Sequence, residues 1–296
     1  MREDEFIITV YCFIEEKFEN ITKGASLRQR GPQPNLTDVE VLTMIVVGEY
    51  LGLGSDKKIW KYFKMRWEHF FPNIGCRTSF VRQGANLFGI MNQIHAEISE
   101  AAGREKDLFL FDGFPIPVCN INRYKRSNRF YGEGGIGYCA AKDDKYFGFK
   151  GHLIITPDGQ AVNFALAAAN IDERDVLPGL AQGLSGDMIG DKGLIRPELT
   201  EDLEKQGLRM HTPLRKNMKD SRPKSFVYQL MNVRRKVETT IGQLVERFKI
   251  QAIRAKDMWH LTTKALRKVM SHSICFIINK AINPNKPLQL ENILCC

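Results

Sequence analysis

The chain has 296 residues, with 43 Lys and Arg against 34 Asp and Glu, which gives a formal net charge of +9. Its 43% hydrophobic residues allow a sizeable core, which excludes intrinsic disorder for most of the chain. No apolar run reaches the ~18–20 residues of a membrane span. The seven cysteines are odd in number and form no CxxC pair, so we expect a protein of the reducing cytoplasm, without a disulfide framework.

The basic residues are clustered along the chain. Nine of them lie between Arg209 and Lys236, against the single acid Asp220. A second cluster of four lies in one short stretch, made of Arg123, Lys125, Arg126 and Arg129. Such clusters are typical of surfaces that bind phosphate groups, and the alternative is a solvated basic surface without a partner.

The first hundred residues carry apolar side chains at helical spacing. We expect four helices, over about residues 4–18, 39–53, 57–71 and 78–102. Thr37 and Glu40 form the capping-box pattern before the second helix. The aromatic stripe Trp60, Phe63, Trp67 and Phe70 is interpreted as core. Residues 1–105 are therefore predicted to be an all-helical domain for DNA binding or dimerisation, and the second and third helices permit a helix-turn-helix.

From Leu108 the pattern changes to short apolar runs separated by turn signals. The predicted order is three strands, a helix, a strand, a helix and a strand, followed by a long helix that begins after Pro223. Pro157-Asp158-Gly159 predicts a hairpin between the second and third strands, whereas Gly132–Gly137 is predicted to be a loop. This order indicates a mixed α/β domain over residues 106–253, followed by a C-terminal helical extension and tail over 254–296.

Three carboxylates stand out by their positions. Asp112 ends the first predicted strand, Asp191 ends the fourth, and Glu238 lies in the long helix. Acids at the ends of neighbouring strands meet at one edge of a sheet, and converging carboxylates repel unless metal ions neutralise them. Oxygen ligands suit Mg²⁺ or Mn²⁺, and two such ions ~3.5–4 Å apart support phosphodiester chemistry. The alternatives are that the two Asp residues form turns and that Glu238 belongs to a solvated ion pair.

Four motifs together resemble bacterial insertion-sequence transposases of the DDE type, and they are most similar to the insertion-sequence-982 family. They are the segments Phe111–Cys119 (FDGFPIPVC), Gly148–His152 (GFKGH), Gly190–Gly193 (GDKG) and Arg234–Thr240 (RRKVETT). The chain departs from many related transposases at Met231, Leu194 and Val245, where those proteins often carry Tyr, Tyr and Lys.

The resemblance implies an RNase H-like catalytic core, with Asp112, Asp191 and Glu238 as catalytic acids and ligands of two Mg²⁺ or Mn²⁺ ions. It further implies cleavage at the ends of a mobile element and transfer of the 3′-hydroxyl into target DNA. The expected partners are double-stranded DNA, as terminal inverted repeats and target, and a second copy of the chain. We expect a bacterial cytoplasmic protein, nucleoid-associated when bound to DNA, with no membrane partner. An RNase H-like nuclease without strand transfer and a non-catalytic DNA-binding regulator are the rival interpretations.

Further residues are assigned secondary roles. Glu246 is the fallback for the third acid, because it lies eight residues beyond Glu238 on roughly the same helix face. Asp175 resembles an acid found after the third strand in related transposases, although a helix N-terminus also favours an acid there. His152 shares a strand face with Lys150 and is interpreted as an ordinary structural histidine. The predicted DNA contacts are the cluster at 123–129 together with Lys150, Lys192, Arg234 and Arg235, and we expect the basic clusters to flank the three acids.

Overall fold

The computed structural model of the protein describes residues 1–28, 30–104, 106–126, 129–139, 143–215, 217–219 and 221–294. Glu105, at the predicted domain boundary, lies outside these residues, as do Lys216 and Asp220 of the basic segment. Among the described residues, no helix is long and apolar enough to cross a membrane.

The chain forms two compact units. The first contains residues 1–98, 244–253 and 263–296, and the second contains residues 99–243 and 254–262. Most of the C-terminal segment that we predicted as an extension is thus grouped with the N-terminal helices. The functions predicted for these segments remain predictions.

The first unit is helical. Its elements are α1 (Glu3–Thr22), α2 (Asp38–Tyr50), α3 (Asp56–Arg66), α4 (Arg77–Asn86), most of α5 (Phe88–Arg104) and most of α10 (Met258–Ile282). The single helix predicted over 78–102 is in fact two helices, which meet at Leu87. The weak helix formers Gly84, Asn86 and Gly89 surround this break.

Helix α2 lies at the centre of the helical unit. Ten consecutive residues, from Val41 to Tyr50, are buried, which is the pattern of a helix that is covered on all sides. The predicted capping box is confirmed: the Glu40 backbone N–H donates to Thr37 Oγ1, and the Thr37 N–H donates to the Glu40 carboxylate. The sequence therefore marks the start of this helix correctly.

The second unit contains the sheet. Its elements are β1 (Leu108–Asn120), α6 (Ile121–Tyr124), β2 (Gly135–Cys139), β3 (Asp144–Ile155), β4 (Ala161–Ala168), α7 (Glu173–Leu180), β5 (Gly186–Ile189), α8 (Pro197–Lys205), β6 (Leu208–His211) and most of α9 (Lys224–Glu246). About a dozen residues join β6 to α9, so no large insertion domain separates them.

The sheet is mixed. Strand β1 pairs antiparallel with β3 and parallel with β5, β3 pairs antiparallel with β2 and β4, and β5 pairs parallel with β6. The six strands follow the order β2-β3-β1-β5-β6, and β4 pairs with β3 as well. Without β2, the order β4-β3-β1-β5-β6, with an antiparallel half and a parallel half, is the arrangement of an RNase H-like core. The predicted mixed α/β fold and the β3–β4 hairpin are confirmed.

Two predictions about the sheet are wrong. Strand β1 does not end at Asp112 but continues to Asn120, and β2 occupies part of the segment that we predicted to be a Gly-rich loop. Pro115 and Pro117 are unfavourable inside a sheet, but the pairing of β1 with β5 stops at Leu110. Prolines are tolerated where the neighbouring strand has ended, because no ladder hydrogen bond to that strand is lost.

Helices α7, α8 and α9 pack against the sheet or bond to it. Leu177 of α7 and Leu199 of α8 belong to one buried cluster with Phe111 of β1 and Ile154 of β3. Helix α9 is tied to the turn between β3 and β4, because the buried hydroxyl of Thr240 donates to the Gly159 carbonyl, 3.2 Å away. This contact holds the long helix in place two residues after Glu238.

Candidate active site

Two acids occupy equivalent positions on neighbouring parallel strands. Leu110 of β1 and Ile189 of β5 are the last paired residues, and Asp112 and Asp191 each lie two residues further along the chain. Because the strands are parallel and in register, both acids lie at the same edge of the sheet. Asp191 itself is the N-cap of the short 3-10 turn Lys192–Leu194.

Asp112 is partly buried, and few groups stabilise the negative charge of its carboxylate. Its Oδ1 accepts a hydrogen bond from the Gly113 backbone N–H at 2.8 Å. Burial, with smaller contributions from the charges of Glu173 and Asp191, raises the pKa of Asp112 to about 6, against the opposing effects of the Gly113 hydrogen bond and of Arg234. These effects show that the four charged groups lie close enough to interact.

Arg234 joins the sheet edge to helix α9. Its Nη2 lies 3.5 Å from Asp191 Oδ1 and 3.5 Å from Glu238 Oε1, one helical turn away. The Arg234 side chain is only 19% exposed, whereas those of Asp191 and Glu238 are 40% and 55% exposed. One guanidinium group therefore brings together two of the three predicted acids, while its charge also reaches Asp112.

The alternative third acid lies further along α9. Glu246 is the last residue of the helix and is exposed. At ~1.5 Å per residue, it lies ~12 Å along the helix axis from Glu238. The contact between Arg234 and Glu238 makes Glu238 the acid that the geometry favours.

Glu173, which was not among the predicted site residues, lies against Gly113, the neighbour of Asp112. Its Oε1 is 3.3 Å from Lys150 Nζ, and a Cβ on Gly113 would lie only 2.6 Å from the same oxygen. Glu173 begins α7, directly after its N-cap Asp172. An acid in the first turn of the helix after the third core strand is the sequence signal that could have identified it.

Asp175 forms an ion pair with an arginine, and His152 lies in the core. Asp175 lies in the first turn of α7 and pairs with Arg196 at 2.7 Å. His152 is fully buried and stacks on Phe111, and neither ring nitrogen has a hydrogen-bond partner among the described residues. Burial, with a smaller effect of Lys150, lowers the pKa of His152 to about 4, so the ring is neutral at pH 7.

The predicted DNA-contact residues fall into two groups. Arg234 contacts two of the acids, and Lys150 pairs with the nearby Glu173. Lys192 and Arg235 are exposed, and they follow Asp191 and Arg234 directly in the sequence. The described members of the cluster at 123–129 are exposed, but they follow the far end of β1. Eight residues of extended chain, or about 25 Å, separate Asp112 from Asn120. The cluster therefore follows the end of β1 that is distant from Asp112, and its role beside the acids stays a prediction.

The three predicted acids offer the donor set that Mg²⁺ and Mn²⁺ prefer, namely carboxylate oxygens. Within the described ranges, no three His, Cys, Asp or Glu side chains lie close enough together to hold a metal ion in the present arrangement. Arg234 instead supplies the positive charge between Asp191 and Glu238. The unfavourable burial of Asp112 among acids is a chemical reason for this edge of the sheet to bind a cation.

The RNase H-like sheet, with acids at the edge between its central strands, defines the class of protein. Residues 102–258 match the family model described as "Transposase DDE domain". The match covers more than half of the chain, and the chain belongs to this family of DDE transposases.

One solved structure is similar to the chain over nearly its whole length. It is the cryo-EM structure of a piggyBac transposase synaptic complex with hairpin DNA, with 11% sequence identity and a TM-score of 0.49. The similar region covers 98% of this chain and 77% of the other. A comparison with curated proteins found no significant match.

Proposed function

We propose that the protein is an insertion-sequence transposase that cleaves DNA at the element ends and joins the freed 3′-hydroxyl to target DNA. Asp112, Asp191 and Glu238 are the catalytic acids. The observation that carries this proposal is the position of Arg234, which contacts both Asp191 and Glu238 next to Asp112. Glu238 of α9, Asp112 within β1 and Asp191 just after β5, which are distant in sequence, thereby form one charged group at the sheet edge.

The proposed chemistry has two steps. Water first attacks the phosphorus at the element end, and the bond from phosphorus to the 3′ oxygen breaks to leave a 3′-hydroxyl. That hydroxyl then attacks a target phosphodiester, and the target strand leaves with its own 3′-hydroxyl. Bound Mg²⁺ or Mn²⁺, in two positions, would lower the pKa of the attacking hydroxyl and stabilise the leaving oxygen. Asp112, Asp191 and Glu238 would hold these ions.

The basic residues beside the acids fit a role in binding the DNA backbone. Arg234 can present two N–H groups to a phosphate once a cation takes over the carboxylates, and Lys150, Lys192 and Arg235 lie nearby in the structure or sequence. The exposed cluster that contains Arg123, Lys125, Arg126 and Arg129 would contact DNA away from the cleavage point, because β1 separates it from Asp112.

The helical unit is proposed to bind DNA or to mediate dimerisation. Helix α3 supports this role, because Lys57, Lys58, Lys61 and Arg66 on its surface are all exposed. Two element ends must be processed together, so a homodimer on DNA is the expected active form. We place this activity on the nucleoid in the bacterial cytoplasm.

The test compares purified wild-type protein with Asp112→Asn, Asp191→Asn and Glu238→Gln, using labelled DNA that carries the inverted repeats flanking the gene. With Mg²⁺ or Mn²⁺, wild type should release a cleaved end and form joined product, and each variant should lose both activities by at least about a hundredfold. Glu246→Gln is the matched control on the same helix and should remain active. Full activity of Glu238→Gln would contradict the assignment of the third acid.

The same experiment separates the rival functions. A nuclease without strand transfer would release the cleaved end but give no joined product when target DNA is added. A DNA-binding regulator would bind the repeats without cleaving them in either metal. Joined product in wild type, and its loss in the three variants, would exclude both.

A further inference from the structure

We propose that Glu173 is a positioning residue of the active site, a fourth carboxylate whose charge strengthens the binding of a divalent cation at Asp112. This inference rests on the proposed function, because it concerns the same site. The Glu173 carboxylate lies directly against Gly113, the residue that follows Asp112, since a Cβ added there would be 2.6 Å from Oε1 and 2.9 Å from Cδ. Glycine at position 113 thus leaves the space that this carboxylate occupies.

The surrounding elements hold Glu173 in this position. Asp172 caps α7 by accepting a hydrogen bond from the Arg174 backbone N–H at 2.9 Å, which fixes where the first turn begins. Lys150 of β3 reaches Glu173 from the sheet, with 3.3 Å between Nζ and Oε1. In the β1–β3 pairing, Lys150 lies opposite Pro115 and two positions from the residue opposite Gly113, so Lys150 and Gly113 share one face of the sheet.

At this point β1 is no longer paired with β5. Pairing with β5 stops at Leu110, and the Gly113 N–H donates to Asp112 Oδ1 instead of to another strand. The Asp112 carboxylate therefore lies next to the Gly113 backbone, and because successive residues of a strand face opposite sides, Glu173 lies on the other side of the same glycine. The charge of Glu173 reaches Asp112 across this one glycine, which has no side chain to separate them. The side chains of Glu173 and Lys150 are about one-quarter exposed, so their charges are only partly screened by water.

Lys150 and Glu173 carry opposite charges. The proposal therefore predicts that removing each charge changes the cation affinity in opposite directions. Removing the negative charge by Glu173→Gln should weaken cation binding, whereas removing the positive charge by Lys150→Met should strengthen it. A purely structural role for the ion pair predicts the same direction for both variants, because either substitution breaks the pair. The double variant should then bind the cation with an affinity between those of the two single variants.

The experiment measures Mn²⁺ binding to the full chain without DNA, by isothermal titration calorimetry. Glu173→Gln should bind Mn²⁺ about tenfold more weakly than wild type, and Lys150→Met should bind it several-fold more tightly. Glu198→Gln is the matched control, since Glu198 is an exposed acid in the first turn of α8 and should leave the affinity unchanged. Gly113→Ala, which displaces the Glu173 carboxylate without removing it, should weaken binding in the same direction as Glu173→Gln.

Asp112→Asn separates the failure of this inference from the failure of the proposed function. If Asp112→Asn loses Mn²⁺ binding and Glu173→Gln retains wild-type affinity, the role of Glu173 is refuted and the proposed active site stands. Weaker binding in both Glu173→Gln and Lys150→Met would also refute it, in favour of a structural ion pair. If neither Asp112→Asn nor Glu173→Gln changes Mn²⁺ binding, the proposed cation site fails together with this inference.

Discussion

Arg234 and Glu238 lie one turn apart on α9, with 3.5 Å between Nη2 and Oε1, and the same Nη2 lies 3.5 Å from Asp191 Oδ1. The guanidinium group therefore occupies the position between two acids where a cation would also be favourable. An arginine in this position lowers the repulsion between the acids when no metal ion is bound.

The first prediction concerns Arg234→Gln. This substitution leaves the acids without a counter-charge, so the protein should be less stable in EDTA and should gain more stability from Mn²⁺ than wild type does. Thermal unfolding with and without Mn²⁺ measures both effects. Arg235→Gln, at the adjacent exposed position, should behave like wild type. An equal Mn²⁺-induced shift in Arg234→Gln and wild type would show that Arg234 does not balance these acids.

The second prediction concerns pH. Burial raises the pKa of Asp112 to about 6, above its usual value of about 3.9. Between about pH 4 and 6 the folded state thus binds more protons than the unfolded state, and this carboxyl makes stability fall as pH rises through that window. Asp112→Asn should be ~1–2 kcal/mol more stable than wild type at pH 8 in EDTA, since one pKa unit corresponds to ~1.4 kcal/mol.

Urea unfolding at pH 4 and pH 8 tests the sign of this effect. The two proteins should differ only slightly at pH 4, where Asp112 is protonated in the folded state and about half protonated in the unfolded state, and should diverge at pH 8. A constant difference across this range would show that Asp112 does not titrate abnormally. DNA cleavage by wild type should rise with pH through about 6, because the ionised carboxylate is the form that binds a cation.

The third prediction concerns an ion-pair cluster in the helical unit. Glu49 of α2 is fully buried and pairs with Arg267 and Lys268 of α10. Glu49→Gln would leave two buried cations with less compensation, and we expect a loss of ~3–5 kcal/mol in the free energy of unfolding. Asp202→Asn, which breaks the exposed pair with Lys205, should cost less than ~1 kcal/mol. Chemical denaturation measures both, and similar losses would contradict the buried role of Glu49.

The fourth prediction concerns Cys76, the exposed N-cap residue of α4. Hydrogen bonds from the Ser79 and Thr78 hydroxyls lower the pKa of its thiol to about 6. At pH 7 most of this thiol is ionised, so iodoacetamide should label Cys76 faster than the exposed Cys12. Mass spectrometry of time points gives both rates. Ser79→Ala should slow the labelling of Cys76 and leave that of Cys12 unchanged.

Several elements of the second unit could be predicted from short stretches of sequence. The hairpin at Pro157-Asp158-Gly159, the strand before Asp191 and the helix after Pro223 all depend on neighbouring residues. For the same reason the sequence missed the extension of β1 beyond Asp112. Pro115 and Pro117 are unfavourable inside a sheet, and only the tertiary structure shows that β5 ends before it would pair with this part of β1.

The sequence by itself determined that Asp112 and Asp191 follow the apolar runs of the central strands and that α9 carries Glu238 near Arg234, because strand and helix periodicity are local properties. Only the tertiary structure decided that Arg234 also contacts Asp191, that the cluster at 123–129 lies far along β1 from Asp112, and that Glu173 lies against Gly113. These relationships depend on strand register and on helix packing between residues distant in sequence. A one-residue change in register would move each side chain to the opposite face of the sheet.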